Sequence, residues 1–206
     1  ARDAATAAML CEGVRQLGLD VLPWNEGLRE WQARVESLRA WCPELALPDC
    51  SDAGLLGALD DWLLPYLDGK WRLSDLDAET FGDALRSRLD YAQRKQLDEY
   101  APRELTVPSG MTRKLTYQGD APVLAVKLQE LFGLADTPHI AKGKIAVVLH
   151  LLSPAQRPLQ VTQDLKGFWE RTYPEVKKEL KGRYPKHPWP DDPWTATPTH
   201  RAKPRV

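Results

Sequence analysis

The residues with the most chemical potential lie near the C-terminus. Lys177, Lys178, Lys181, Arg183 and Lys186 fall within ten positions, with Tyr184 among them and His187 and Trp189 directly after. Lysine and arginine neutralise phosphates and release their counterions. Flat aromatic and imidazole rings give unpaired bases a stacking surface, worth about 1–3 kcal/mol per base. The spacing therefore fits a single-stranded nucleic acid. It also fits a simpler arrangement, in which Trp169 and Trp189 pack the tail onto its neighbour and the lysines are only solvated.

Residues able to break bonds do not assemble locally. A phosphate-cradling P-loop needs G-x-x-x-x-G-K-[ST]. The pairs Gly69-Lys70 and Gly143-Lys144 lack both the upstream glycine and the following Ser or Thr. Neither H-E-x-x-H nor G-x-S-x-G occurs. Asp60 and Asp61 are helix neighbours, which do not face each other. The three cysteines, Cys11, Cys42 and Cys50, have no C-x-x-C spacing and read as reduced thiols. No catalytic residue and no metal ligand is assigned.

Charge separates two halves. Residues 1–105 carry 12 Lys or Arg against 20 Asp or Glu, and residues 106–206 carry 16 against 9. The second half is thus the one suited to a polyanion. Hydrophobic residues make up 43% of the chain, too many for a disordered one. No apolar run reaches the roughly 18 residues of a membrane span, and the N-terminus lacks a signal-peptide layout. A cytoplasmic location without membrane contact is expected. The beginning at Ala1, without Met, reads as an internal cut point in a longer protein.

The elements that must position these residues follow from periodicity. Leu28, Trp31, Val35, Leu38 and Cys42 recur at helical spacing after a capping Asn25, and Pro43 ends the run. A second helix is expected from a capping Asp52 through Leu55, Leu59, Trp62 and Tyr66. A third starts at Asp77 and carries Phe81, Leu85 and Leu89 towards Tyr100. Ala4 to Leu17 forms a fourth. Five β-like runs then appear at 104–107, 112–118, 123–126, 144–152 and 159–162, with a short helix at 127–133 after the third. That order is the one found in an OB-type barrel. A helix capped by Asp164 and a second with Pro174 in its first turn complete the chain, and a loosely ordered tail follows Pro193.

The expected class is therefore α+β. A helical region covers 1–102, an OB-like five-stranded β-barrel 103–163, and a helical, Pro-rich extension 164–206. On the barrel side Arg113, Lys114, Tyr117, Lys127, Lys142 and Lys144 are candidates for the nucleic-acid face. His139 and His150 are expected to make structural hydrogen bonds.

The stretch from Leu151 to Pro193 resembles the C-terminus of bacterial HrpB-type helicases, a branch of the DEAH-box ATP-dependent RNA helicases. The likeness extends through LDDWLLPYL (Leu59–Leu67), LRSRLDYAQRKQLDEYAP (Leu85–Pro102), ELTVPSG (Glu104–Gly110) and PVLAVKLQELFGLADTP (Pro122–Pro138). The resemblance implies a portion lying after two RecA-like motor domains, which work on this chain in cis. It implies that ATP and Mg2+ belong to those motor domains, so no cofactor is expected here. RNA or single-stranded DNA is the implied partner, with other proteins left open. The competing expectation is a scaffold or docking module without intrinsic affinity for nucleic acid. An independent hydrolase is the weakest alternative.

Overall fold

The computed structural model describes residues 2–203, with side chains from residue 4. The chain divides into two compact units that meet at Ala101 and Pro102.

The first unit is helical. Helix α1 spans Arg2–Leu17 and α2 spans Glu26–Trp41. Short helices α3 (Asp52–Gly57) and α4 (Leu59–Trp62) follow, then α5 (Ala78–Arg86) and α6 (Tyr91–Tyr100). The caps explain most of the starts. Asn25 accepts from the Leu28 N–H at 2.9 Å and Asp77 from Thr80 at 2.7 Å, each satisfying an orphan donor of the first turn.

Three expectations are corrected here. The helix expected from Asp77 towards Tyr100 is interrupted after Arg86, and α6 starts afresh under a capping Asp90. Ser51, and not Asp52, caps α3, because its hydroxyl reaches the Gly54 N–H at 3.1 Å. Asp52 instead binds Arg29 and Gln32 at 2.9 and 2.8 Å. The single helix expected from 52 to 66 is broken at Ala58 and ends in a 3-10 turn, Leu64–Leu67. The apolar side chains still reach the core, because Trp62 donates to the Leu55 carbonyl at 2.8 Å across the break. Phe81 packs edge-on to Trp24 at 5.0 Å and lies 6.1 Å from Trp62. Arg34 is buried among these helices, where its guanidinium donates to the Ala101 carbonyl at 2.9 Å and to Asp98 at 3.1 Å. Cys11, Cys42 and Cys50 are buried free thiols, and burial pushes Cys50 up to about 11.

The second unit is built on a mixed five-stranded sheet in the order β1-β2-β3-β6-β7. Its strands are β1 (Glu104–Thr106), β2 (Thr112–Gln118), β3 (Ala121–Lys127), β6 (Val148–Leu152) and β7 (Pro158–Thr162). A separate hairpin joins β4 (His139–Ile140) to β5 (Ile145–Ala146). The closed barrel is not observed. Among the described residues β1 pairs only with β2 and β7 only with β6, so both edges are open. The short edge strand β1, three residues long, and β7 thus end the sheet, and a crossover lies at its centre. Strands β3 and β6 run parallel, and parallel neighbours need a connection of a dozen or more residues. A 3-10 turn at Leu128–Leu131 and the β4–β5 hairpin supply it. The run expected at 144–152 is split at Val147, whose N–H bonds the Pro138 carbonyl at 2.9 Å. Pro158 begins an edge strand, where its missing N–H costs no ladder bond.

Asp164 caps the last helical run through the Gly167 N–H at 2.9 Å. That N–H, then Arg171, holds the Asp164 carboxyl below the usual carboxylate range. The run is continuous: α7 (Leu165–Gly167), a π-helical turn at Phe168–Thr172 and α8 (Tyr173–Arg183). Pro174 therefore does not open a separate helix. The wider π turn just before it absorbs its missing donor. Trp169, Tyr173 and Trp189 surround Phe132 at 5.9, 6.1 and 6.4 Å. Residues 187–203 have no regular structure, yet they are tied down. Gly133 N–H bonds the Pro193 carbonyl at 2.7 Å, Thr199 N–H bonds Gln129 at 3.2 Å, and Lys203 N–H bonds Lys186 at 2.8 Å. The loosely ordered tail expected after Pro193 is, over the described residues, an anchored strap.

Candidate nucleic-acid interface

Helix α8 is held by its buried Tyr173 and Leu180, and the Tyr173 hydroxyl donates to the Pro190 carbonyl at 2.7 Å. Burial, with Asp191 nearby, pushes the Tyr173 phenol well above its ordinary range. That anchoring turns Lys178, Lys181 and Arg183 to solvent, and Lys186 is exposed just beyond the helix. Lys177 lies on the inner edge and pairs closely with Asp191. Lys177, then Lys181, holds the Asp191 carboxyl low. The charge of Lys177 is thus largely matched within the fold. Arg183 approaches Glu179 only at 3.9 Å, a surface contact that contributes little. Lys178 and Lys186 make no ion pair among the described residues.

The three rings do not form an open stacking platform. Trp189 is buried and donates to the Tyr184 carbonyl at 3.0 Å. Its place beside Phe132 makes it core. Tyr184 is half-buried, with its hydroxyl on Ser153 at 3.2 Å. His187 lies between the two, 6.4 Å from the Tyr184 ring and 6.3 Å from Trp189. Its Nδ1 faces the Gln129 amide at 3.5 Å. Burial, then the Lys127 charge, lowers the His187 pKa.

On the sheet, Arg113 is committed elsewhere. Its guanidinium reaches Glu130 at 2.8 and 3.2 Å, and Ser109 donates to the same oxygen at 3.0 Å. Glu130 is 1% exposed, so Arg113 offsets a buried charge. Tyr117 donates to the Pro102 carbonyl at 2.6 Å. Lys114 is exposed in β2, opposite Glu104 of β1. Lys142 and Lys144 are exposed at the β4–β5 turn, where Ala141, Lys142 and Gly143 all have positive φ. His139 accepts a structural role through its contact with the Thr137 carbonyl at 2.8 Å. Sequence reasoning missed Arg201 and Lys203, which the strap carries, because nothing in the local pattern shows that residues beyond Pro193 are anchored. Among the described residues no group of three or more His, Cys, Asp or Glu could hold a metal, and no helix is long and apolar enough to cross a membrane.

The second unit thus combines an open mixed sheet, a basic final helix and an anchored strap. The family profile described as ATP-dependent helicase C-terminal matches residues 62–193. The ATP-dependent RNA helicase HrpB of Escherichia coli strain K12 is 46% identical over 202 residues, covering 98% of this chain. The crystal structure of the E. coli DExH-box NTPase HrpB superposes with a TM-score of 0.88 over 93% of the chain at 46% identity. A crystal structure of the Escherichia coli DEAH/RHA helicase HrpB gives 0.74 over 87% at 43% identity. The chain belongs to the HrpB-type helicase C-terminal family. It spans 25% of the length of the curated relative, and 24% and 23% of the two solved chains.

Proposed function

We propose that this chain is the accessory C-terminal region of an ATP-dependent RNA helicase and contributes a single-strand contact beside the motor. The observation that carries this reading is the cluster of exposed cations, Lys178, Lys181 and Arg183 around a helix whose inner face is fixed and Lys186 just beyond its end. Fixed, outward charge lowers the ordering cost of gripping a phosphate backbone. Within this reading the sheet is an open, OB-like platform, and Lys114, Lys142 and Lys144 add secondary phosphate contacts. Hydrolysis of ATP with Mg2+, and a cytoplasmic setting, are assigned by the same reading to the longer protein.

The test is fluorescence anisotropy of a labelled single-stranded RNA with this chain at low salt. Binding is expected, and K178E/K181E/R183E should weaken it by at least about tenfold without changing the circular dichroism spectrum. No anisotropy change with the folded chain contradicts the reading. A variant that keeps RNA affinity but lowers ATPase in the full-length helicase would make the helix a scaffold contact instead.

A further inference from the structure

The strap lines an open cavity of about 430 Å3 in the second unit. This lies within the roughly 300–1,000 Å3 of small-ligand pockets. Pro188, Pro190 and Ala196 give it apolar walls above the buried Phe132. Arg201 and Lys203 line the same cavity. No carboxylate is among the lining residues. The two nearest acids in sequence are occupied, Asp191 by Lys177 and Asp192 by the Trp194 and Thr195 N–H groups and the Thr195 hydroxyl.

The walls are also fixed before any ligand arrives. The strap is pinned at Pro193, Thr199 and Lys203 by backbone hydrogen bonds, and the Thr199 hydroxyl accepts from the Arg201 N–H at 3.1 Å. The bond from Lys203 to the Lys186 carbonyl places the cavity's cationic end next to the last of the exposed lysines. An apolar-walled cavity beside two cations, with Lys186 next to its cationic end, is complementary to a ring attached to phosphate. A peptide or lipid chain would fill the walls but leave the cations without a counter-charge.

We propose that this cavity receives one unpaired nucleobase of the bound single strand, with the flanking phosphates against Arg201 and Lys203. The proposal rests on the single-strand contact above and assigns it a base-binding subsite. Bases of any identity are accommodated, because apolar walls read ring faces and not hydrogen-bonding edges.

The test compares an oligodeoxynucleotide of about ten residues with its fully abasic counterpart, using the folded 206-residue chain at one salt concentration. The intact strand should bind at least about fivefold more tightly. Ala202→Trp, which adds a ring at an exposed lining position, should reduce that ratio towards one while leaving abasic binding unchanged. Thr197→Trp is a second exposed plug should the first fail to fold. Equal affinity for both strands in the unaltered chain, or a ratio that neither plug changes, overturns the subsite and leaves the phosphate contact standing. Failure to bind either strand overturns the contact and the subsite together.

Discussion

Residue types alone do not distinguish an interface from a core at several positions of this chain, and burial decides between them. Trp189 and Arg113 suit nucleic acid by type, yet one packs on Phe132 and the other offsets Glu130. Trp189→Ala should therefore cost about 3–5 kcal/mol of stability, as a large buried side chain does. A denaturation curve checks this; an unchanged midpoint with lost RNA affinity would return Trp189 to the interface. Arg113→Met should cost about 3 kcal/mol, because it strands a buried carboxylate. A change below about 1 kcal/mol would show that Glu130 is rehydrated and weaken the structural reading. His187 supplies a pH dependence. Its folded pKa is lowered from 6.5 by burial and Lys127, so below that value the unfolded chain binds the extra proton. Its contribution to stability is present above about 6.5 and is lost as pH falls below it. Unfolding midpoints from pH 8 to pH 5 should fall less steeply in His187→Gln than in the unaltered chain, and parallel curves would contradict the assignment.

At the scale of elements, what was legible were the signals carried by neighbouring residues. The apolar spacing of α2 and the caps at Asn25, Asp77 and Asp164 follow directly from side-chain type and position. Asp77→Ala should accordingly cost about 1 kcal/mol, measurable as a lower unfolding midpoint; no shift would show that the α5 start is set by packing alone. Features that depend on distant partners were hidden. Ser51 and Asp52 are both good caps by type, and the pairing of Asp52 with Arg29 decides between them. The π turn follows from Pro174 lying within a continuous helix, where isolated reading makes it a new start. The barrel closed on paper because five runs have an OB order. The parallel β3–β6 pairing, and the two-residue β4 that is too short to show periodicity, changed the topology. The strap depends on hydrogen bonds to Gln129, Gly133 and Lys186, none of which a local pattern encodes.

At the scale of the molecule, the charge division and the family were both legible, one from composition and the other from long motifs. Residues 106–206 hold 16 Lys or Arg against 9 Asp or Glu, and the second unit is where the exposed cluster and the strap's cations lie. Under the proposed function this basic surface on a prefolded support holds a strand while other parts of the longer protein act on it. This makes salt the controlling variable, because phosphate contacts release counterions in proportion to their number.

The most direct measurement is the slope of log affinity against log salt for single-stranded RNA, for this chain and for K178E/K181E/R183E. Each phosphate contact on a single strand contributes about −0.7 to this slope, so losing three should make the variant's slope shallower by about 2. The variant should also bind more weakly at low salt. Equal slopes in the two proteins, or no binding at low salt by the unaltered chain, would contradict the assignment of the α8 cations to a nucleic-acid interface.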